Sequence, residues 1–222
     1  MTGSTLVFDL DGTLIDSAPD LQALLAPTLA AAGRRPLTLA ETRDCIGWGM
    51  IKLVEGAFAM TGTPLDPARH DAVIAEFRAR YEAAEPVHTR LYPGVPETLA
   101  ALRPGRRLAM CTNKPVRAAA RVLEAFDLLR FFDGISGGDS VAVRKPDPQH
   151  FWDAVSRAGG SAPAVMIGDS ETDIATGRNA AVATVAVSYG YAHEPPASMG
   201  ADRVVDRFAD LVAVLDELAP RG

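Results

Sequence analysis

Four short apolar runs, each followed by polar or turn-forming residues, constrain the fold of this chain more than any other feature of its sequence. They are Thr5–Phe8, Leu108–Cys111, Ala164–Ile167 and Ala183–Val187. Each run has the length and apolar character of a strand that is buried on both faces. Stretches with helical signals separate the later runs, and Arg203–Val205 predicts a short edge strand. Alternating strands and helices are typical of a parallel sheet with helices on both faces.

Residues 17–91 interrupt this alternation. The segment is dominated by Ala, Leu, Glu and Arg and contains no convincing strand. Glycine and proline signals divide it into four predicted helices, which are Leu21–Ala32, Leu39–Cys45, Gly49–Met60 and Pro67–Ala83. We therefore predict an α/β protein with a Rossmann-like parallel sheet core, residues 1–16 and 92–222, and an inserted all-helical cap, residues 17–91. The cap would lie over the end of the sheet at which the first loop leaves it.

Composition argues against several functional classes. The 222 residues carry a formal net charge of -6, which is unsuited to binding a nucleic acid backbone because that task needs clustered Lys and Arg. The sequence has no run of about 18 apolar residues that would predict a membrane span. Two cysteines, Cys45 and Cys111, do not form a disulfide framework. These features predict a soluble, cytoplasmic protein and leave its oligomeric state open.

Paired aspartates follow two of the predicted strands. Asp9 and Asp11 are one residue apart at the end of the first strand, so extended backbone would turn both carboxylates to the same side. Asp169 and Asp173 follow the third apolar run, one helical turn apart. Four converging carboxylates repel one another unless a cation holds them. Because every ligand is a hard oxygen, we predict Mg²⁺ as the cofactor.

Groups that could hold a phosphate accompany these acids. Lys145 lies in a loop that Pro146 and Pro148 stiffen, and Thr112 and Asn113 offer a hydroxyl and an amide at a strand end. Backbone N–H groups in the turn around Gly12 could complete a cradle for a phosphate group. A cation, a lysine and hydrogen-bond donors around paired aspartates are typical of a phosphoryl-transfer site.

Four motifs in this order resemble those of the haloacid dehalogenase-like superfamily. They are Asp9-x-Asp11-Gly12-Thr13, Thr112, Lys145-Pro146 and Gly168-Asp169-x-x-x-Asp173. The helical insertion after the first motif is similar to the α-helical cap of one branch of that superfamily. Softer patterns resemble the bacterial phosphoglycolate phosphatase-like subfamily, although neighbouring sugar-phosphate and pyrophosphate hydrolases share several of them. These patterns are Thr112-Asn113-Lys114-Pro115, Gly137-Gly138-Asp139, Arg144-Lys145-Pro146-Asp147-Pro148 and Tyr189-Gly190-Tyr191.

The resemblance implies a role for each motif residue. Asp9 would attack phosphorus and become an aspartyl phosphate, and Asp11 would act first as an acid and then as a base. Asp9, Asp169 and the backbone carbonyl of Asp11 would bind Mg²⁺, and Asp173 would steady that shell as a ligand or through water. Gly12, Thr112, Asn113 and Lys145 would hold the transferring phosphoryl group.

Two cap residues are candidates for contact with the substrate. Glycines flank Trp48 and would permit close approach to a ligand, and Lys52 could meet a substrate carboxylate. The alternative is a helix corner with a packed Trp48 and a solvated Lys52. Arg43 and Lys114 are weaker candidates for the same contact.

These observations predict a Mg²⁺-dependent phosphomonoesterase that acts on a small phosphorylated metabolite, with 2-phosphoglycolate as the first candidate. A sugar-phosphate mutase or a pyrophosphatase on the same scaffold is the enzymatic alternative. A non-catalytic binding protein is the alternative from another class. Dehalogenase or phosphonatase chemistry is disfavoured, because Asp11 supplies an acid that suits an oxygen leaving group.

Overall fold

Eight strands and nine α-helices are present in the computed structural model, which describes residues 3–219 and 221. The strands are β1 (Thr5–Phe8), β2 (Ile15–Asp16), β3 (Arg90–Leu91), β4 (Arg107–Cys111), β5 (Gly134–Ser136), β6 (Ala164–Gly168), β7 (Ala183–Val187) and β8 (Arg203–Val205). The helices are α1 (Ala18–Ala31), α2 (Leu39–Asp44), α3 (Met50–Met60), α4 (Pro67–Ala83), α5 (Val95–Leu102), α6 (Val116–Ala125), α7 (Pro148–Arg157), α8 (Glu171–Asn179) and α9 (Leu211–Leu218). None of these helices combines the length and the apolar character that crossing a bilayer requires.

Six of the strands form one parallel sheet in the order β5-β4-β1-β6-β7-β8. The five strands predicted from the sequence are present to within one residue at each end. Strand β5 was not predicted, because its three residues include Gly134 and carry no apolar run. That glycine has a packing reason, since a Cβ there would overlap the backbone of α7 at Arg157 and Ala158.

Alternate residues of each strand pack into separate layers on the two faces of the sheet. Leu6 and Phe8 lie in a cluster with α5, α6 and α9, whereas Val7 lies in a cluster with α7 on the other face. This period of two places apolar side chains against helices on both sides, as a buried parallel strand requires. The predicted α/β architecture with a Rossmann-like parallel sheet is confirmed.

Helices α1 to α4 lie between β2 and β3, two short antiparallel strands that pair with each other. Neither strand was predicted, and β3 corrects the expectation that residues 17–91 contain no strand, because two residues are too short to show an apolar run. The starts of two helices follow local capping: Thr38 forms a capping box at α2, and Asp66 caps α4. Helix α1 begins three residues before the predicted Leu21. The four helices share one apolar cluster, which also includes Ala118 and Tyr191 from the rest of the chain. Residues 17–91 therefore remain our proposal for the cap, with the paired strands at its border.

Candidate active site

Three neighbouring strands deliver the main polar residues to one edge of the sheet. Asp9 follows β1, Thr112 follows β4, and Asp169 follows β6. Strand β1 lies between the other two, and the chain leaves β1 and β6 in opposite directions across the sheet. Such a switch point opens a crevice at the carboxyl ends of the strands, where α/β proteins bind ligands.

Three carboxylates meet in this crevice. Oxygen atoms of Asp9, Asp169 and Asp173 lie within 4.8 Å of one another, and all three residues are buried. Burial is the main cause that raises the pKa of Asp9 to about 7, and repulsion from Asp173 adds to it. The pKa of Asp169 is raised well above its usual value by burial and by the same neighbouring acids. A divalent cation with a preference for oxygen ligands would relieve this repulsion, so the donor set fits Mg²⁺.

Lys145 lies between two of these acids. Its Nζ atom is 2.7 Å from Oδ1 of Asp9 and 2.6 Å from Oδ1 of Asp173. Burial favours the neutral amine, but the two carboxylates outweigh it and raise the pKa of Lys145 above its usual value. Oδ2 of Asp173 accepts hydrogen bonds from the backbone N–H and the hydroxyl of Ser170. Asp173 therefore orients Lys145 toward Asp9 in addition to closing the acidic cluster.

Asp169 is fixed from several sides. Its Oδ1 atom accepts a hydrogen bond from the Thr13 hydroxyl at 2.8 Å, and its Oδ2 atom accepts one from the backbone N–H of Tyr191 at 2.7 Å. A Cβ at either Gly12 or Gly190 would overlap the Asp169 carboxylate. Gly12 also has a φ of +91°, which L side chains rarely adopt. Gly12, which was predicted to bind phosphate, thus leaves room for the Asp169 carboxylate and also permits the turn.

Asp11 lies apart from the acidic cluster. Its Oδ1 atom accepts a hydrogen bond from the Ser17 hydroxyl at 2.5 Å, and Nζ of Lys114 is 3.0 Å from Oδ1 and 3.3 Å from Oδ2. The Lys114 amine also lies 5.1 Å from the centre of the Tyr81 ring on α4. Ser17 was not a predicted site residue, and Lys114 was predicted only as a weaker candidate for contact with the substrate. The pattern Thr112-Asn113-Lys114-Pro115 includes the lysine, but its pairing with Asp11 depends on the fold and is not visible in the sequence.

Thr112 and Asn113 differ in what their side chains do. The Thr112 hydroxyl accepts a hydrogen bond from the backbone N–H of Lys114 at 3.2 Å. The Asn113 amide donates to the carbonyl of Gly47 at 2.9 Å, and its oxygen accepts from the backbone N–H of Lys145 at 3.0 Å. The Asn113 side chain therefore ties the loop at Gly47 to the loop at Lys145, and its contact with phosphate stays a prediction.

A cavity of about 380 Å³, counting the part open to solvent, lies between the helices and this edge of the sheet. Five apolar side chains contributed by the helical segment form one part of its wall. They are Leu21, Cys45, Ile46, Met50 and Leu53. The remaining lining residues are Asp9, Asp11, Gly47, Gly49, Tyr81, Thr112, Asn113 and Lys114. The nucleophile candidate and the acid candidate thus face one small space.

The structure places Trp48 and Lys52 outside this cavity, in a groove on the outer surface of the helices. Trp48 is 47% exposed, and the Lys52 amine pairs with Glu55 at 2.8 Å. Met50 and Leu53, three residues apart on one face of α3, turn toward the cavity and so leave Lys52 on another face. Gly49 allows this approach, because a Cβ there would lie 3.1 Å from the Asn113 carbonyl oxygen. The glycine permits contact with the core backbone.

Comparison with known proteins identifies relatives along almost the whole chain. Residues 4–181 match the family model of the haloacid dehalogenase-like hydrolases. A phosphoglycolate phosphatase of Agrobacterium fabrum is 41% identical over 219 residues, which cover 97% of this chain and 94% of the relative. A crystal structure described as a "predicted phosphoglycolate phosphatase" from Haemophilus somnus 129pt aligns with a TM-score of 0.88 and 30% identity, covering 96% of this chain and 98% of the other. A CbbY variant of Rhodobacter sphaeroides in complex with xylulose-(1,5)bisphosphate aligns with a TM-score of 0.73 and 26% identity, covering 94% and 96%.

Proposed function

The chain belongs to the haloacid dehalogenase-like hydrolase family and is a phosphatase, and we propose that it hydrolyses 2-phosphoglycolate with the help of Mg²⁺. The arrangement of Asp9 carries the proposal of phosphomonoester chemistry. Its carboxylate is buried, lies 2.7 Å from the Lys145 amine and belongs to the cluster with Asp169 and Asp173. This arrangement supports Asp9 as the nucleophile, because the neighbouring positive charge would draw a phosphoryl group against it.

Each step of the proposed reaction uses a residue of this edge of the sheet. Asp9 attacks phosphorus and forms an aspartyl phosphate, while Lys145 holds the transferring oxygens. Asp11 protonates the leaving oxygen and then takes a proton from the attacking water. The Ser17 hydroxyl, 2.5 Å from Asp11, fixes the orientation of that carboxylate.

The residues present fit a bound magnesium ion. We propose that Asp9, Asp169 and the backbone carbonyl of Asp11 hold it, with Asp173 acting directly or through water. When bound, Mg²⁺ offsets negative charge on the phosphate and lowers repulsion between the acids. The protein's part is to keep Asp169 in place through Thr13 and the backbone of Tyr191.

The cavity favours a small leaving group over a sugar. Its wall on the helical side is apolar and includes Leu21, Met50 and Leu53, whereas sugar hydroxyls need polar partners when they are buried. A glycolate leaving group has a single methylene carbon and needs a polar partner only at its carboxylate. The structure with a sugar bisphosphate nevertheless makes sugar phosphates the second candidate class.

Release of free phosphate from a substrate panel tests the proposal. The panel contains 2-phosphoglycolate, a hexose 1-phosphate, xylulose 1,5-bisphosphate and pyrophosphate, each with Mg²⁺ and with excess chelator. We expect the highest kcat/KM for 2-phosphoglycolate and loss of turnover in chelator. Isomerised hexose phosphate without phosphate release would favour a mutase, and faster pyrophosphate cleavage would favour a pyrophosphatase. Full turnover in chelator would refute the role of the cation.

A further inference from the structure

We propose that Lys114 binds the carboxylate of the substrate and thereby selects 2-phosphoglycolate over neutral alkyl phosphates. This inference rests on the proposed function and assigns a specificity-determining residue to the same cavity. Lys114 follows β4 by three residues, and it is 7% exposed. A buried ammonium group in a cavity that binds anions is a strong discriminator between charged and neutral ligands.

Lys114 is the sole basic residue among the described residues that line the cavity. The second lysine at this edge of the sheet, Lys145, lies between Asp9 and Asp173 and is committed to the phosphoryl group. A substrate with a carboxylate on its leaving group therefore meets one available cation. Apart from Tyr81, the side chains that the helical segment adds to the lining are apolar, such as Met50 and Leu53.

The other basic candidates from the sequence are engaged elsewhere. Lys52 pairs with Glu55 in the outer groove, and its side chain is 67% exposed. Arg43 contacts Asp16 at 3.1 Å, and its side chain is 42% exposed. Neither residue lines the cavity. The carboxylate contact that the sequence suggested for Lys52 is thus better assigned to Lys114.

The short spacing between the leaving oxygen and the carboxylate of the substrate supports a contact with Lys114. In 2-phosphoglycolate one methylene carbon separates the carboxylate from the oxygen that leaves. Asp11, which protonates that oxygen, lies 3.0 Å from the Lys114 amine. A cation that touches the acid is therefore within reach of a carboxylate so close to the leaving oxygen. An ammonium group carries three N–H donors, so it can hold Asp11 and a substrate oxygen together.

Tyr81 places the lysine where the helices meet the core. The Lys114 amine lies 5.1 Å from the centre of the Tyr81 ring, and Tyr81 is itself buried on α4. An aromatic face near a cation stabilises it and restricts its side-chain rotamers. The cation is thus fixed in advance between Asp11 and the helical wall, which reduces the entropy lost on binding.

A pair of substrates that differ in one group tests the assignment. The substrates are 2-phosphoglycolate and 2-hydroxyethyl phosphate, which has a neutral hydroxymethyl group in place of the carboxylate. We expect wild-type kcat/KM to favour 2-phosphoglycolate by about 100-fold, a typical value for one buried charge pair. In Lys114→Met this preference is expected to fall to within a few-fold of unity. Lys114→Arg is expected to retain part of it.

The ratio separates recognition of substrate from support of Asp11. If Lys114 served only Asp11, then Lys114→Met would slow both substrates equally and leave the preference unchanged, which would overturn the inference. Lys114→Gln keeps an N–H donor for Asp11 but no charge, so it carries the test if the Met variant does not fold, as judged by circular dichroism. If Lys52→Met lost the preference for 2-phosphoglycolate and Lys114→Gln kept it, the carboxylate contact would be assigned to Lys52 instead of Lys114.

Failure of the proposed function gives a different result. A wild-type enzyme that hydrolyses other phosphates but not 2-phosphoglycolate would refute the proposed substrate, and the inference would fall with it. A wild-type enzyme that prefers 2-phosphoglycolate, and keeps that preference in Lys114→Met and Lys114→Gln, would refute the role of Lys114 alone.

Discussion

The stability of the cation-free protein at different pH values tests the cost of burying the carboxylates of the acidic cluster together. Asp9 has a pKa of about 7, chiefly because it is buried, whereas an unfolded aspartate has its usual value of 3.8. The folded protein therefore binds a proton at Asp9 at pH values where the unfolded chain does not. In chelator, stability is expected to rise as pH falls from 8 to 6, since the folded state gains the proton in this range.

The magnitude follows from the pKa. A group with a pKa of about 7 goes from about one-tenth protonated at pH 8 to about nine-tenths at pH 6, while the unfolded carboxylate stays ionised. Between pH 8 and pH 6, Asp9 therefore raises the free energy of unfolding by about 1.4 kcal/mol. This corresponds to a rise in Tm of about 3–6 °C for a chain of this size. The nearby Asp169, with its raised pKa, acts in the same direction.

Thermal unfolding of wild type and Asp9→Asn in chelator measures this effect. Histidines also titrate between pH 8 and 6, so the variant is needed to isolate the effect of Asp9. Between pH 8 and 6, the free energy of unfolding of Asp9→Asn is expected to rise by about 1.4 kcal/mol less than that of wild type. Saturating Mg²⁺ is expected to raise the Tm of wild type most at pH 8, where the carboxylates are ionised and bind it best. Equal pH dependence in wild type and variant would refute the reasoning.

Three further predictions concern individual contacts of the site. Asp11→Asn is expected to slow 2-phosphoglycolate by about 10²–10⁴-fold but an aryl phosphate less, because a nitrophenolate leaves without a proton; phosphoenzyme should accumulate in quenched samples, and equal slowing without phosphoenzyme would contradict the assignment. Gly190→Ala would press a methyl group on Asp169 and is expected to weaken Mg²⁺ binding by about 10–100-fold, measured by titration of activity; an unchanged titration would show that Asp169 is not a ligand. Asn113→Ala removes the hydrogen bond to Gly47 and is expected to cost about 1 kcal/mol of stability and to loosen the helices, seen as faster amide exchange in α3. Unchanged exchange would show that this hydrogen bond does not hold the helices in place.

The strands were predictable because burial on both faces forces a visible apolar run. Thr5–Phe8 and Ala164–Gly168 are fully buried, and the acids that follow them could be placed at one edge of a parallel sheet. Strand β5 escaped prediction because an edge strand of three residues needs no such run. The helices between residues 18 and 83 were found by their turn signals, with errors at the ends where tertiary contacts decide. Helix α1 is an example, since the Tyr191 hydroxyl accepts the N–H groups of Ser17 and Ala18.

The contacts around the candidate site were less accessible from the sequence. Lys114 reaches Asp11 across 103 residues of chain, and the Tyr191 backbone reaches Asp169 across 22. Such pairings depend on how elements pack, which a local pattern does not encode. The outward position of Lys52 has a different origin. The buried residues of α3 are Met50, Leu53, Val54, Ala57 and Phe58, an apolar stripe that turns inward and leaves Lys52 on the outer face.

The hydrogen bond from Asn113 to the helical segment ends on a backbone atom, the carbonyl of Gly47. Any residue has such a carbonyl, so this bond itself does not depend on the side chains that face the ligand. What it does demand is a loop with positive φ angles, +106° at Gly47 and +88° at Gly49. Attachment of the helical segment and selection of the leaving group thus depend on residues at different positions of the chain. Leu21, Met50 and Leu53 can be substituted to admit other leaving groups while the loop at Gly47 and Gly49 keeps the helices in place. These three side chains are therefore the natural targets for redesign of the substrate range.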